Sequence, residues 1–365
     1  MVVEQKLRGG VIGLGVGKAH AKGYLSSPDV ELIAVCDSNE DRLQTLAAEW
    51  DVPVRYTDYK KMLAETPLDM VSICLPNALH AEAALLALEA GLHVICEKPM
   101  APTVAEARHM LEMAQRCNRR LMIAYNFRYR PDTRWMKNLV QSGALGTIYQ
   151  ANVSWRRETG IPGSGWFGEK DLAGGGALID LGVHVIDLAL WLMGFPEVKT
   201  VSGETRRLFG QRNLKTWGRH PGDVARDNFD VDDGSVGFIR LANGAHMLVQ
   251  ATWAEHTQPQ QDDIRVELQG TEGTVVLHIR NYKNEDTLRF YTEIHGEPVT
   301  VIPSVRFGAP QGHEALIHDL AHCLQHDLPV GTDGTQGLAA IRILEGLYES
   351  AKTGREVVFA NEQEE

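Results

Sequence analysis

The sequence predicts an α/β protein with a doubly wound parallel sheet in its N-terminal part and an α+β domain on a largely antiparallel, open sheet in its C-terminal part. Over the first 125 residues, short β-rich runs alternate with amphipathic helical stretches, which is the pattern of a parallel sheet covered by helices. After Pro131 the pattern changes to runs joined by hairpin-type turns. The length of 365 residues suits two domains, and we predict their boundary between 1–128 and 129–365.

The N-terminal strands are predicted where aliphatic and β-branched residues cluster between helical stretches. One helix between them carries a clear start signal, because Thr103-Val-Ala-Glu106 is a capping-box pattern ahead of an apolar-periodic run. The predicted strands are Gly9–Ile12, Val30–Cys36, Leu68–Leu75, His93–Cys96 and Leu121–Ala124.

The second half is predicted to begin with a helix at about 132–141 and a long strand at about 147–156. A glycine-rich loop and a buried helix from Ala177 to Met193 follow. Two helices, at about 312–325 and 336–352, close the chain. Between the buried helix and these two, β-runs are predicted at about 231–241, 245–255, 263–269, 274–279, 287–293 and 297–302.

Composition narrows the class of protein. Net charge is −12 and the pI is about 5.6, which argues against nucleic acid or an anionic membrane as a partner. The N-terminus has no apolar signal region, and no uninterrupted apolar run reaches the ~18 residues of a membrane span. We therefore expect a cytoplasmic protein. The cysteines are odd in number and lack metal-type spacing, so we interpret them as reduced: Cys36, Cys74, Cys96, Cys117 and Cys323.

A glycine-rich turn follows the first predicted strand. Gly13, Gly15 and Gly17, with Val16 between the last two, would let the backbone approach a pyrophosphate at the start of a helix. Asp37 ends the second strand twenty residues after Gly17, where a carboxylate binds ribose hydroxyls. These features together predict a dinucleotide-binding, Rossmann-type domain. Asp37 as the N-cap of the next helix is an alternative compatible with that role.

The same carboxylate bears on the choice of cofactor. Asp37 should accept hydrogen bonds from both ribose hydroxyls and repel a 2′-phosphate, so we predict NAD rather than NADP. Ser38 and Arg42 argue for NADP, because a hydroxyl and a guanidinium would accommodate its 2′-phosphate.

Two further segments follow parallel strands at the edge where open α/β sheets bind ligands. Glu97 and Lys98 follow one of these strands, and an amine at this edge is able to bind a substrate hydroxyl and move its proton. A surface lysine without function is the alternative. In the other segment, the residues expected to face the cofactor are Leu75, Pro76, Asn77 and His80.

The apolar helix from Ala177 to Met193 carries one polar stripe. Asp180, His184 and Asp187 are spaced i, i+4 and i+7 on a helix that is otherwise apolar on nearly every side. Such a stripe needs partners or a cavity, and a histidine beside a carboxylate is suited to act as a general base. A core histidine whose polar neighbours satisfy it is the alternative.

These motifs together resemble the glucose-fructose oxidoreductase/inositol dehydrogenase (Gfo/Idh/MocA) family over nearly the whole chain. The resemblance rests on the glycine-rich turn, on Glu97-Lys98-Pro99, and on Gly174-Gly-Gly followed by Asp180-x-Gly-x-His184. It implies a Rossmann domain and an α/β domain whose open sheet serves oligomerisation. One departure is the spacing Gly13-x-Gly15-x-Gly17, where the family commonly has G-x-G-x-x-G.

The resemblance also implies roles for individual residues. Lys98 corresponds to the family's catalytic lysine, and Asp180 and His184 correspond to its acid–base pair. Asn126 and Arg128 fall in a segment that lines cofactor and substrate. In the mechanism we expect, His184 takes the hydroxyl proton, Lys98 polarises the oxygen and Asp180 orients the pair. The further residues expected to bind substrate are Trp155, Arg156, Trp166 and His256.

The expected reaction is NAD-dependent oxidation of a secondary hydroxyl on a cyclic polyol or sugar. Three alternatives remain open at this point: a zinc site formed by Asp180, His184 and Asp187, a non-catalytic NAD-binding regulator, and a glycosidase or epimerase that oxidises its glycoside transiently. We expect no metal. Strands such as Ser235–Leu241 and Ala245–Trp253 carry apolar residues on both faces, so we also expect a homodimer or homotetramer.

Overall fold

The computed structural model describes residues 6–163, 165–212, 214–217 and 229–360. These residues form two units. The first unit extends to Tyr129 and also contains Gly308–Leu338, and the second contains Arg130–Phe307 and the chain from Ala339 onward.

The first unit is built on a six-stranded, fully parallel sheet in the order β3-β2-β1-β4-β5-β6. This is the strand order of the dinucleotide-binding fold, in which ligands bind where the order reverses, between β1 and β4. The strands are β1 (Leu7–Ile12), β2 (Val30–Cys36), β3 (Val54–Tyr56), β4 (Met70–Ile73), β5 (His93–Cys96) and β6 (Leu121–Ile123). The helices that connect them are α1 (Gly17–Ser26), α2 (Glu40–Glu49), α3 (Tyr59–Glu65), α4 (His80–Glu89) and α5 (Val104–Arg116).

Helix starts in this unit follow local capping chemistry. The Thr103 hydroxyl accepts a hydrogen bond from the Glu106 amide, as the capping-box pattern predicts. The Asn39 side chain caps α2 by accepting from the Arg42 amide. Asn39, rather than Asp37, is therefore the N-cap of that helix.

The segment 308–338 belongs to the first unit. Its helix α9 (Gly312–Gln325) packs on α1, where Gly23 lies so close that an added Cβ would be 2.7 Å from Ile317 Cγ1. Leu316 and Leu320 are fully buried in the same core. The domain boundary predicted from sequence assigned these residues to the second domain, 129–365. The chain returns to the core of the first unit at Gly308, and such a return leaves no local signal in the sequence.

The second unit is built on a nine-stranded sheet in the order β14-β13-β12-β11-β7-β10-β9-β8-β15. All neighbouring pairs are antiparallel except β7 and β10. The predicted α/β class with a largely antiparallel second sheet is therefore confirmed. The strands are β7 (Ile148–Arg157), β8 (Val198–Arg206), β9 (Gly234–Leu241), β10 (His246–Thr252), β11 (Asp262–Gly270), β12 (Gly273–Arg280), β13 (Leu288–Ile294), β14 (Glu297–Val301) and β15 (Val357–Val358), and the helices are α6 (Pro131–Gln141), α7 (Lys170–Ala173), α8 (Val183–Met193) and α10 (Gly334–Thr353), of which the last begins in the first unit.

The apolar helix covers one face of this sheet, because α8 packs on β7 and β11. The helical stretch Lys170–Met193 is long and apolar enough to cross a membrane by length and composition, but 83% of its most apolar window is buried inside the protein. Helices that are apolar all round are typical of protein cores. The prediction of one α-helix from Ala177 is corrected in one respect, because Leu178–Gly182 forms a π-helical turn and the regular helix begins at Val183.

Candidate active site

The glycine-rich turn has the geometry of a phosphate-binding turn. Gly13 has φ +86°, and a Cβ there would lie 2.3 Å from the Cys74 carbonyl oxygen. A Cβ on Gly15 would meet only Arg42, at 3.8 Å, so this exposed backbone stays open to a ligand. Gly17 is the first residue of α1, where a Cβ would lie 2.9 Å from Val11 Cγ1. In spite of the shortened spacing, Gly17 performs the close helix–strand packing expected of the motif's last glycine.

Asp37 is tied to this turn. Its carboxylate accepts hydrogen bonds from the amides of Leu14 (2.7 Å) and Asn39 (2.8 Å), and the Arg42 guanidinium lies 3.4 Å from Oδ2. Ser38 beside it is exposed, and so is Val16 at the start of α1. A carboxylate held at the end of β2 beside the glycine turn is placed as a ribose-binding carboxylate should be.

The other residues expected to face the cofactor differ in exposure. Leu75 and Pro76 are half-buried, whereas Asn77 is buried. His80 is fully buried, and its two ring nitrogens contact the carbonyl oxygens of Pro99 (2.8 Å) and Leu75 (2.9 Å). His80 therefore holds two strand-end loops together and presents no ring nitrogen to a cofactor.

Glu97 lies at the centre of a buried hydrogen-bond network. Its Oε1 contacts Nε2 of His20 (2.8 Å) and of His313 (3.1 Å), and its Oε2 accepts from the Lys98 amide (3.1 Å). Burial alone would raise the pKa of Glu97, but the hydrogen bonds and charge of the two histidines outweigh it and hold that pKa well below its usual range. Glu97 thus anchors the backbone of half-buried Lys98.

Arg128 and Asn126 lie in the 3₁₀ turn after β6. Asn126 is half-buried. Arg128 is buried, its guanidinium lies 5.2 Å from the centre of the Tyr125 ring, and it donates to Gln336 and to the Gly331 carbonyl. Through these contacts Arg128 joins Gly308–Leu338 to the rest of the first unit. The sequence had predicted only a substrate-binding role for Arg128.

In the second unit, the π-helical turn carries Asp180. Asp180 Oδ2 accepts a hydrogen bond of 2.9 Å from the indole nitrogen of Trp253, which is fully buried. His184 follows in the first turn of α8, is 9% exposed, and packs against Trp155 with ring centres 5.4 Å apart. Single π turns within helices are frequent at functional sites.

Asp180 and His184 line a cavity of about 450 Å³ in this unit. This volume falls within the range of small-molecule sites. The wall is aromatic and aliphatic apart from Asp180, His184 and one arginine, so the two predicted catalytic residues face a space suited to a small polar ring. The remaining lining residues are Trp155, Arg157, Pro162, Gly163, Phe167, Leu181 and Trp217.

Arg157 is held rigidly in the cavity wall. Its guanidinium lies 4.4 Å from the centre of the Trp217 ring and 5.0 Å from that of Trp155. Nε donates to Asp262 (3.0 Å), which also accepts from the Trp155 indole (2.8 Å), and Nη2 donates to the Tyr282 hydroxyl (2.5 Å). Burial raises the pKa of Tyr282 in spite of the nearby Arg157 charge, so its hydroxyl stays protonated.

Three residues of the second unit that were predicted to bind substrate are not among the described residues that line this cavity. Arg156 points to the opposite face of β7 and pairs with Glu255 (2.5 Å). Trp166 stacks on Phe167 at 4.1 Å, and it is Phe167 that lines the cavity. His256 is exposed and packs edge-on against Phe209. These three assignments therefore differ from the observed lining.

Sequence analysis did not identify Trp217, Trp253, Asp262 and Tyr282, and it chose Arg156 and Trp166 where their neighbours Arg157 and Phe167 line the cavity. A signal for these two neighbours existed, because period-two alternation places Arg157 on the face of Trp155 and because Phe167 adjoins Trp166. Asp262 faces Arg157 only through the register of β11 on β7, which no local pattern gives.

The zinc alternative would use Asp180, His184 and Asp187 on the apolar helix as ligands. Among the residues that the structure describes, the His, Cys and carboxylate side chains whose ligand atoms converge within 4.8 Å are instead His20, Glu97 and His313. Their atoms are engaged with one another in the network described above. Asp187 is buried within α8.

A dinucleotide-binding sheet, followed by a unit in which a carboxylate and an imidazole line a cavity of small-molecule size, is typical of a nicotinamide-dependent oxidoreductase. Known proteins agree: residues 7–125 match the oxidoreductase family's NAD-binding Rossmann fold, and residues 137–359 match its C-terminal α/β domain. The chain belongs to this family, Gfo/Idh/MocA, and is an oxidoreductase that acts on CH–OH groups with NAD. The family assignment made from sequence is confirmed.

Relatives of known activity share nearly the full length of the chain. D-glucoside 3-dehydrogenase of Escherichia coli is 33% identical over 96% of this chain and 97% of its own. Levoglucosan dehydrogenase of Pseudarthrobacter phenanthrenivorans is 30% identical over 95% and 96%. A structure of levoglucosan dehydrogenase with NADH and levoglucosan superposes with a TM-score of 0.84 at 27% identity, covering 98% of this chain and all of that one.

Proposed function

We propose that this protein oxidises a secondary hydroxyl of a neutral sugar or glycoside, with NAD as the hydride acceptor. The observation that carries the proposal is the cavity of about 450 Å³ that joins Asp180 and His184 to aromatic walls. Indole and phenyl faces suit the apolar face of a pyranose ring, and a few polar groups suit its hydroxyls. The glucoside and levoglucosan dehydrogenases among the relatives support this substrate class.

The charges of the cavity favour an uncharged substrate. Arg157 is the permanently charged cation among its described lining residues, and Asp262 neutralises it in a 3.0 Å ion pair. Asp180 adds a further carboxylate to the wall. A phosphate or carboxylate on the sugar would therefore have to displace Asp262 or face Asp180, and both cost free energy.

The first unit has the features needed to hold NAD. Gly13 and Gly17 leave no room for a side chain, Gly15 leaves the turn open, and Asp37 is fixed beside them. We propose that the turn binds the pyrophosphate and that Asp37 binds the ribose hydroxyls, which favours NAD over NADP. The bound nicotinamide supplies the hydride acceptor.

Three side chains are proposed to carry the proton chemistry. His184 takes the hydroxyl proton as general base, and Asp180, oriented by the Trp253 indole, fixes the imidazole's tautomer and stabilises its charged form. Lys98 polarises the reacting oxygen and stabilises the alkoxide that develops there. Its backbone is anchored by Glu97, which favours a fixed position for the amine.

Incubation with a substrate panel tests the proposal. The protein is mixed with NAD and with inositols, free aldoses, glucosides or glucose 6-phosphate, while NADH absorbance and sugar products are followed together. We expect NADH in proportion to an oxidised neutral sugar. Cleavage or epimerisation without net NADH would instead indicate a glycosidase or epimerase that oxidises its glycoside transiently. A preference for the phosphorylated sugar would contradict the charge argument.

We further propose that two copies associate through the outer face of the nine-stranded sheet. Val236 and Leu248 are 53% and 44% exposed on that face, and Phe238 pairs with Leu248 across β9 and β10. A second copy of the same patch would bury these apolar side chains. Light scattering at micromolar concentration should show a dimer or tetramer that Leu248→Glu weakens, and a monomeric wild-type protein would contradict this.

The cytoplasm remains the proposed compartment. All five cysteines are free, and four of them are buried. Reduced thiols are typical of proteins in a reducing compartment. Fractionation of cells that express the tagged chain tests this assignment, and recovery outside the cytoplasm would overturn it.

A further inference from the structure

The start of the apolar helix is held by one carboxylate. Asp232, 7% exposed just before β9, accepts through Oδ1 from the Gly176 amide (2.7 Å) and through Oδ2 from the Leu178 amide (2.9 Å). Its backbone carbonyl accepts from the Ala177 amide (3.0 Å). A single residue therefore satisfies three consecutive amides that a helix start leaves without an intrahelical partner.

The Gly174-Gly-Gly motif makes this docking possible. A Cβ on Gly176 would lie 1.8 Å from the Asp232 carbonyl oxygen, and one on Gly175 would lie 2.2 Å from the Tyr348 hydroxyl. Any side chain at either position would separate the helix start from these groups. The two glycines are therefore needed for close approach between the helix start, Asp232 and α10.

Tyr348 completes the arrangement. Its hydroxyl donates to Asp232 Oδ1 at 2.8 Å, and burial raises its pKa well above the usual range, which keeps the hydroxyl a donor. Burial also raises the pKa of Asp232, against the opposing effect of the hydrogen bonds that it accepts. Tyr348 lies on α10, so a helix remote in sequence contributes to the same cap.

A short chain of hydrogen bonds links this cap to the proposed acid–base pair. The Gly176 amide donates to Asp232, and the Gly176 carbonyl in turn accepts from the Asp180 amide at 3.0 Å. Asp180 then lies in the π turn, and His184 follows within the first turn of α8. Movement of Gly176 would therefore displace Asp180 directly.

We propose that Asp232 and Tyr348 are positioning residues, which fix the π-helical turn so that Asp180 and His184 face the cavity in their reactive geometry. The inference rests on the proposed function, since it assigns these residues to the same site. Neither Asp232 nor Tyr348 is among the described residues that line the cavity. Their effect on the reaction is therefore exerted through the helix start.

The test compares Asp232→Asn with two further variants of the full-length protein. Asn replaces one carboxylate oxygen by an amide that faces an N–H group, which should loosen the helix start. Tyr348→Phe removes one hydroxyl and keeps the test available if Asp232→Asn folds poorly. Asp233→Asn is the matched control, because this buried carboxylate also accepts from backbone amides, at Leu208, Phe209 and Gly210.

We expect Asp232→Asn to lower kcat roughly 10–100-fold and Tyr348→Phe about 3–10-fold, because small misplacements of catalytic groups have effects of this size. KM for NAD should stay within about twofold, since the turn that binds it is untouched. Amide hydrogen exchange in peptides covering 176–184 should accelerate about tenfold or more in Asp232→Asn. Asp233→Asn should keep kcat within about threefold of the wild type.

Two results would overturn the inference. One is an Asp232→Asn variant that loses no more kcat than Asp233→Asn, and the other is unchanged exchange at 176–184. If the wild-type protein turned over none of the sugars tested, the proposed function would fail. The exchange measurement would still decide whether Asp232 holds the π turn.

Discussion

Asp262→Asn tests whether the cavity wall depends on one buried carboxylate. Asp262 accepts from the Trp155 indole at 2.8 Å and from Arg157 Nε at 3.0 Å, and the Arg157 side chain is only 6% exposed. Asparagine retains one acceptor and removes the negative charge opposite a buried cation. Each hydrogen bond to a charged group contributes about 1.5–3 kcal/mol, so we expect a loss of roughly 2–4 kcal/mol in unfolding free energy.

The assay is thermal and urea unfolding, together with steady-state kinetics on the best sugar of the panel. A loss of this size lowers Tm by roughly 5–15 °C for a domain of about 200 residues. KM for the sugar should rise more than kcat falls, because Asp262 shapes the wall and takes no part in proton transfer. Asp263→Asn is the control, since its carboxylate faces His278 at 3.2 Å on the opposite side of β11. Equal stability of the two variants would refute the reasoning.

Three further outcomes are expected. Lys98→Ala and His184→Ala should each reduce turnover roughly 10²–10⁴-fold, with NADH affinity by fluorescence titration nearly unchanged; near-normal turnover in both would remove the acid–base assignment. Asp37→Ser frees Arg42 for a 2′-phosphate and should move the ratio of kcat/KM values toward NADP by about tenfold, whereas a wild-type preference for NADP would contradict the role of Asp37. Burial and the charges of Arg119 and Arg120 lower the pKa of His93 to about 4 in the folded protein. In the unfolded chain this histidine has a pKa of about 6.5 and takes up its proton at higher pH, so the free energy of unfolding should fall as pH drops from about 6.5 to 4. Allowing for partial exposure, urea unfolding should show about 1–2 kcal/mol of pH dependence that His93→Asn removes, and an unchanged slope in the variant would oppose this.

The fold was accessible from sequence because its signals are local and repeated. Strand–helix alternation predicted five of the strands in the first sheet, although β3 (Val54–Tyr56) is too short to form a visible run. β8 (Val198–Arg206) was missed because most of its residues are partly exposed and polar, with Gly203 near its centre. The sequence predicted an α-helix over the π turn at Leu178–Gly182, because i, i+4 spacing does not distinguish an α-helix from a π-helical turn.

The candidate site was predicted in part for the same physical reasons. Asp180 and His184 stand out because an apolar helix offers them no polar neighbours along its own surface. Asp232 gave no such signal, because its function as a cap depends on a contact across 56 residues of sequence. Positions that act through tertiary contacts of this kind are visible only once the chain is folded.

The arginines show why residue type alone misplaces a substrate-binding group. Arg128 and Arg156 were expected to bind substrate and Arg157 lines the cavity, yet each guanidinium is already bound to protein: Arg128 to Gln336, Arg156 to Glu255 and Arg157 to Asp262. For Arg156 and Arg157 the partner is a carboxylate, which neutralises the charge that a ligand would meet. We therefore expect Arg157 to contribute to substrate recognition through its shape and its position between the rings of Trp155 and Trp217. Such a wall is expected to select a neutral ring by fit, and this is the reason that we propose glycosides ahead of sugar phosphates.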